Sequence, residues 1–302
     1  MKKVSGRPQC PLSIVPVGEV WFWLLALAAG LALVHISLVS QSNDGSLMAS
    51  SLLFWVAIGS LIWSRKSTFV LESGFVSTLL AAALLALLLV KSAFIQGYDP
   101  FLRVAPLLFG LSMGLLASGL KGVRQYGQEL LVFAFLAPPP SLISSLIDTS
   151  PVTARVSTLI LWYAGFNVQQ QGVNILLPNG GVEVYSGCSG IDLMLNLLGL
   201  SVLFLIMFPV SRVQRILLPV LAVAIAFLVN AVRVAIMAVL STPSTQSAFE
   251  YWHKGNGSLL FSMMAVFFLG GYCFFILHQE ESAPHQAAVN SPVDASELWD
   301  HE

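Results

Sequence analysis

The feature that most limits what this chain can fold into is its series of long apolar runs, of which "TLLAAALLALLLV" at residues 78–90 is the purest. A membrane span needs roughly 20 mostly apolar residues. Inside lipid every backbone polar group must be satisfied within the segment, so such runs fold as helices. Eight runs approach the necessary length, near 20–39, 47–63, 69–90, 104–120, 129–147, 191–209, 216–240 and 258–277. Only 10% of the 302 residues are charged, against about 25% in a soluble domain. The expected fold is therefore an all-α integral membrane protein of about eight transmembrane helices. The first run is too long, and its polar leader too extended, to read as a cleavable signal. No internal repeat is found, which disfavours a transporter built from two related halves.

Lys and Arg in the short loops orient the bundle. One set of segments holds Lys2, Lys3, Arg7, Arg65, Lys66, Lys121, Arg124, Arg212 and Arg215, and the opposite set only Lys91, Arg103, Arg155 and Lys254. Both termini are thus expected in the cytoplasm, with loops 148–190 and 241–257 on the external face of a plasma or inner membrane. Residues 1–277 read as one multi-span domain. The stretch 278–302 carries Glu280, Glu281, Asp294, Glu297, Asp300 and Glu302 without a Lys or Arg, and reads as a disordered acidic tail. A net charge of -1 argues against a nucleic-acid partner.

The longest loop, 148–190, holds two patterns. "RVSTLILWYAGF" from Arg155 is amphipathic, with Trp162 and Tyr163 suited to the membrane interface. In "GVNILLPNGGVEVYSG", Asn179-Gly180 separates two short apolar runs, so a small β-hairpin is expected before the sixth helix. The hairpin delivers the chain to "SGCSGID", where Cys188 stands at the mouth of that helix. Ser189 with Asp192 matches a capping box. A helix N-terminus favours a thiolate, while Asp192 opposes it. Gly187 and Gly190 leave room for a substrate backbone. On this stretch alone, a nucleophile and a small buried thiol are equally good readings.

Two distant residues shift the balance. Arg233, in "FLVNAVRVAIMAVL", lies inside the seventh run, where a charged side chain costs about 2.5–3.5 kcal/mol on insertion scales. It is a functional candidate, with snorkelling to the surface as the alternative. Asn230, three residues earlier, shares its helix face. His253, in "FEYWHKGNGSLL", falls in the loop before the last run. The charge-derived topology puts Cys188, Arg233 and His253 on one membrane face. Cys and His together can run nucleophilic acyl transfer, and Arg can hold the oxyanion or keep the thiolate charged. His35 reads as a packed or interfacial histidine, and Cys10, Cys273, His278, His285 and His301 as inert. "APPPS" at Pro138–Pro140 must interrupt or kink the fifth run.

"GCSGID" ahead of a span, "NAVR" late in the next and a loop His before the last resemble the exosortase/archaeosortase family, with the Ser-Gly-Cys-Ser-Gly form most similar to the cyanobacterial cyanoexosortases. The resemblance covers roughly residues 20–277. It implies Cys188, Arg233 and His253 as the catalytic residues. Its substrates would be exported proteins bearing a C-terminal sorting signal: a Pro-Glu-Pro-like motif, a transmembrane helix and a basic cluster. The released protein would pass to water or to an acceptor of unknown chemistry. Asp192 departs from the basic residue that many members carry soon after Cys-Ser-Gly. Two rival readings remain open, a transporter using Arg233 for an anionic solute and a non-catalytic export factor. Neither metal-ligand cluster nor phosphate-binding loop is present in the sequence, so no cofactor is expected.

Overall fold

The computed structural model describes residues 17–42, 44–253 and 257–289 of the chain. The helices, in order, are α1 (Val17–Gln41), α2 (Gly45–Arg65), α3 (Phe75–Ala93), α4 (Phe101–Gly122), α5 (Gly127–Leu136), α6 (Pro140–Leu146) and α7 (Ser150–Tyr163). Three short strands follow, β1 (Gln169–Gln171), β2 (Asn174–Leu177) and β3 (Gly180–Glu183), and then α8 (Ile191–Met207), α9 (Arg212–Leu240), α10 (Gln246–His253) and α11 (Gly257–Val289).

Among the described residues, seven helical stretches are long and apolar enough to cross a membrane. The difference from eight lies at the expected fourth and fifth runs. Both fall in the single stretch Phe101–Leu136 and the short α6 beyond it. Gly119 has φ +70 and ψ -177, a conformation that interrupts α4 and that a side chain would strain. A Cβ there would also press on the Ser77 hydroxyl at 3.2 Å. The chain then passes through a 3-10 turn, Val123–Tyr126, into α5, which is only 10 residues long. Pro139 is extended ahead of α6, so the proline run divides the expected fifth span into two short helices. At the other end α11 continues to Val289. Residues 278–289 of the stretch expected to be disordered continue that helix, across Pro284. Residues 290–302 lie outside the described residues, as does Cys10.

The chain packs as two compact units interleaved in sequence: residues 1–44 with 62–130, and residues 45–61 with 131–302. In the first, α1 and α3 pack on α4. His35 is fully buried and its Nε2 donates to the Leu102 carbonyl at 2.8 Å, so it is a packed histidine. Buried charges here meet opposite charges. Glu129, 3% exposed, accepts from Arg65 at 2.8 Å, and Arg103, 5% exposed, lies 4.0 Å from Asp44.

In the second unit α9 is the hub, contacting α7, α8, α10, α11 and the sheet. Ala222, Ala226, Ala231, Ala235 and Ala238 are all buried along it. Lipid is as apolar as a leucine side chain, so close packing through small residues has to hold such helices together. One cluster joins Leu218, Ala222 and Ala226 to Leu197 of α8 and Phe261 and Ala265 of α11. A second joins Val234, Ala235 and Ala238 to Ala154 and Leu161 of α7, Ile175 of β2 and Val184. Helix α7 buries Ser150, Thr153, Ala154, Ser157 and Leu161, an amphipathic stripe, and leaves Trp162 and Tyr163 exposed at its end. The sheet is an antiparallel meander in the order β1-β2-β3. The hairpin closes with Leu177 opposite Gly180, so Pro178 and Asn179 connect the strands and Gly180 already belongs to β3.

Candidate active site

The second cluster fixes the platform on which Cys188 sits. Val184 is buried and its backbone N–H donates to Val173 at 3.0 Å, which locks the end of the sheet. The next residues wind into a 3-10 turn, Ser186–Cys188, where the Cys188 N–H donates to the Tyr185 carbonyl at 2.8 Å. Two threonines of the α7 region, Thr149 and Thr153, donate to the Ser189 carbonyl at 3.3 and 2.9 Å. Asn230 of α9 is 2% exposed and its Nδ2 donates to the Cys188 carbonyl at 2.9 Å. The turn bearing the thiol is thus held from α7 and α9 together.

Three expectations about this stretch need correction. Ser189 does not cap α8. It is buried and its hydroxyl donates back to the Ser186 carbonyl at 2.7 Å. The N-cap is Gly190, at φ +90, and its left-handed backbone takes the chain past Ser189 before the helix begins. Asp192 does not close a capping box either, and accepts from the Ser46 hydroxyl at 3.2 Å. Nor do the glycines stand open for a substrate. A Cβ on Gly190 would lie 2.7 Å from Asn230 Nδ2, and one on Gly187 2.6 Å from the Tyr185 ring. Gly190 admits the asparagine, and Gly187 admits the tyrosine.

His253 was expected in a loop and is instead the last residue of α10, an eight-residue helix packed on α9 and α11. Its ring tilts against Phe249, with centroids 5.2 Å apart. Its Nε2 is 3.7 Å from the Cys188 sulfur, within reach of a hydrogen bond to sulfur. Arg233 donates through one terminal nitrogen to the His253 backbone carbonyl at 3.0 Å, and its buried Nε has no partner. Among the described residues, Arg233 forms no ion pair. A cleft of about 220 Å³ is lined by Cys188, Arg233 and His253, together with Tyr185, Glu183 and Phe249.

Tyr185, Glu183 and Phe249 join this cleft without a motif to mark them, and Tyr185 lies nearest the chemistry-bearing groups. Its hydroxyl is 3.5 Å from His253 Nε2. Burial raises its pKa above that of an ordinary tyrosine, and the neighbouring Cys188 pushes it the same way, while Arg233 pulls it down. Its place at the end of the hairpin, three residues before the thiol, was the available signal. Cys273 is a half-buried free thiol within α11, remote in sequence from the cleft. Among the described residues no three His, Cys, Asp or Glu side chains gather in a way that could hold a metal ion.

Fold and cleft together define a class: a multi-pass helical membrane protein in which a thiol, an imidazole and a guanidinium line one small cavity. The family model for transmembrane exosortase (Exosortase_EpsH) matches residues 41–270, and the chain belongs to that family. Membership implies a membrane-embedded sorting protease or transpeptidase that processes exported proteins. Comparison with curated proteins and with solved structures gives no match.

Proposed function

We propose that this protein is a cysteine peptidase or transpeptidase that removes C-terminal sorting signals from exported proteins, with Cys188, His253 and Arg233 as its catalytic residues. The observation that carries the reading is the 3.7 Å approach of Cys188 Sγ to His253 Nε2 in a cleft that also takes in Arg233. His253 Nε2 accepts the thiol proton and the thiolate attacks the scissile carbonyl. The carbonyl π pair moves to oxygen, and the guanidinium of Arg233, which lines the same cleft, stabilises that charge. The imidazolium returns its proton to the leaving nitrogen, the C–N bond breaks, and a thioester remains on Cys188. Water or an acceptor amine then resolves it.

Asn230 positions the thiol by holding its backbone carbonyl, and Arg233 positions the imidazole by holding that of His253. A cleft of about 220 Å³ is smaller than a typical small-molecule pocket of about 300–1,000 Å³, so it suits the scissile residue of an extended chain and not a whole peptide. The substrate signal is a Pro-Glu-Pro-like motif, a transmembrane helix and a basic cluster. The loop charges favour an external active site on a plasma or inner membrane, with both termini cytoplasmic. The Ser-Gly-Cys-Ser-Gly stretch favours the cyanobacterial branch of the family.

The test is co-expression with an exported reporter ending in such a signal. Wild-type protein is expected to shorten the reporter, and Cys188→Ala is expected to leave it full length. Continued shortening by Cys188→Ala would remove Cys188 as the nucleophile.

A further inference from the structure

We propose that Tyr185 is a fourth catalytic residue, whose phenol O–H donates a hydrogen bond to the Cys188 thiolate and hands the sulfur over to the substrate as the S–C bond forms. The inference rests on the reading of Cys188 as nucleophile and His253 as its base.

The geometry is a convergence on one nitrogen. His253 Nε2 has the thiol sulfur at 3.7 Å and the Tyr185 oxygen at 3.5 Å. A neutral imidazole nitrogen offers a single lone pair, so only one of the two donors can be served well. An O–H···N contact of 3.5 Å is also well beyond the usual 2.5–3.2 Å, so the phenol proton is not spent on the imidazole. Once the thiol proton moves to Nε2, the imidazole becomes a donor and the sulfur becomes an anion. The strongest acceptor near the phenol is then the thiolate. A hydrogen bond to a charged partner is about twice as strong as a neutral one.

Local packing brings the phenol to this place. Gly187 has no side chain where the Tyr185 ring lies, and any Cβ there would stand 2.6 Å from it. The ring is therefore folded against the turn that carries the thiol. The charged and titratable groups facing the cleft are Arg233 from α9, His253 from α10, Glu183 from β3, and Tyr185 and Cys188 themselves. Of these, Arg233 is committed to the His253 carbonyl through one nitrogen, and His253 is the proton acceptor. Tyr185 is left as the neutral donor. Its raised pKa keeps the proton on the oxygen at neutral pH, as a donor requires.

The proton balance is simple. The S–H proton goes to Nε2 and later to the leaving nitrogen. The Tyr185 proton is shared with sulfur but never transferred. As the thiolate pair forms the S–C bond, negative charge leaves sulfur for the carbonyl oxygen, and the phenol is released.

The experiment measures the rate of Cys188 alkylation by iodoacetamide against pH, in purified protein carrying Cys10→Ser and Cys273→Ala so that one thiol is read. Tyr185→Phe retains the ring packed at Gly187 and removes only the donor. Its alkylation profile is expected to move to higher pH, with a rate at neutral pH roughly tenfold below that of the parent. Reporter shortening should fall in parallel. An unmoved profile with unimpaired shortening would overturn the role of Tyr185 while leaving the nucleophile reading intact. Reporter shortening that persists in Cys188→Ala would instead overturn the nucleophile reading itself. Tyr185→Leu, which also loses the ring, should reproduce the shift. A shift in Tyr185→Leu alone would assign the effect to packing and remove the hydrogen bond from the argument.

Discussion

Arginines in the two compact units are treated differently. In the first, Arg65 meets Glu129 at 2.8 Å and Arg103 lies 4.0 Å from Asp44, so each buried or half-buried cation has a carboxylate beside it. In the second, Arg233 has no carboxylate partner among the described residues and spends its one recorded hydrogen bond on a backbone carbonyl. Burying a charge without an opposite charge is costly, and a fold retains such a residue only where the surroundings hold it in place. The comparison separates cations answered by a carboxylate from a half-buried one answered by a backbone carbonyl. An intramembrane arginine is best judged by what answers it, and less by its depth.

The contrast can be broken or sharpened by mutation. The largest effect is expected at Arg233→Lys, which keeps the charge but loses the planar fork. Reporter shortening should fall by roughly 10²–10³-fold, the cost of losing one oxyanion donor, with an unchanged melting temperature in detergent. If shortening survives, the uncompensated charge is not being used and the contrast loses its meaning. Next comes Asn230→Ala, which leaves the Cys188 carbonyl without its donor. A buried acceptor left unpaired costs about 1–3 kcal/mol, so a roughly tenfold loss of shortening is expected, with some loss of melting temperature. The smallest effect on turnover is expected at Glu129→Gln. Removing that carboxylate's charge should lower stability by about 1–3 kcal/mol, a drop read by thermal melting, yet leave shortening per folded molecule unchanged. A strong loss of turnover there would mean that the paired charges also serve the reaction.

Much of the helical architecture was legible because lipid imposes so simple a demand. Runs of about 20 apolar residues have few alternatives to a helix. The hairpin was legible from Asn179-Gly180, although the strands meet one residue earlier than that dipeptide suggests. Loop charge and motif order put Cys188, Arg233 and His253 on one membrane face, and their approach to a single cleft is what the structure adds. What escaped depends on backbone angles and short contacts. Gly119 and Gly190 adopt positive φ, and a glycine in a sequence does not announce that. Ser189 has the composition of a cap but lies one residue too early for it. The strand Gln169–Gln171 is all polar and carries no alternation, so its place in the sheet comes from pairing with β2 alone. Helix α10 is two turns long, too short to have been stable by itself, and its existence comes from docking on α9 and α11. Tyr185 lies over the thiol turn because Gly187 leaves room for its ring.

That docking has a practical corollary for anyone wishing to move the chemistry elsewhere. The imidazole rides on a segment with little intrinsic helicity, and the Arg233 hydrogen bond pins the backbone of the same residue that carries the ring. Copying the cysteine loop and the histidine peptide into another scaffold would carry over the letters without the alignment. The smallest transplantable part is the long ninth helix with its partners on either side, because that helix touches both the thiol turn, through Asn230, and the backbone of the ring-bearing residue, through Arg233.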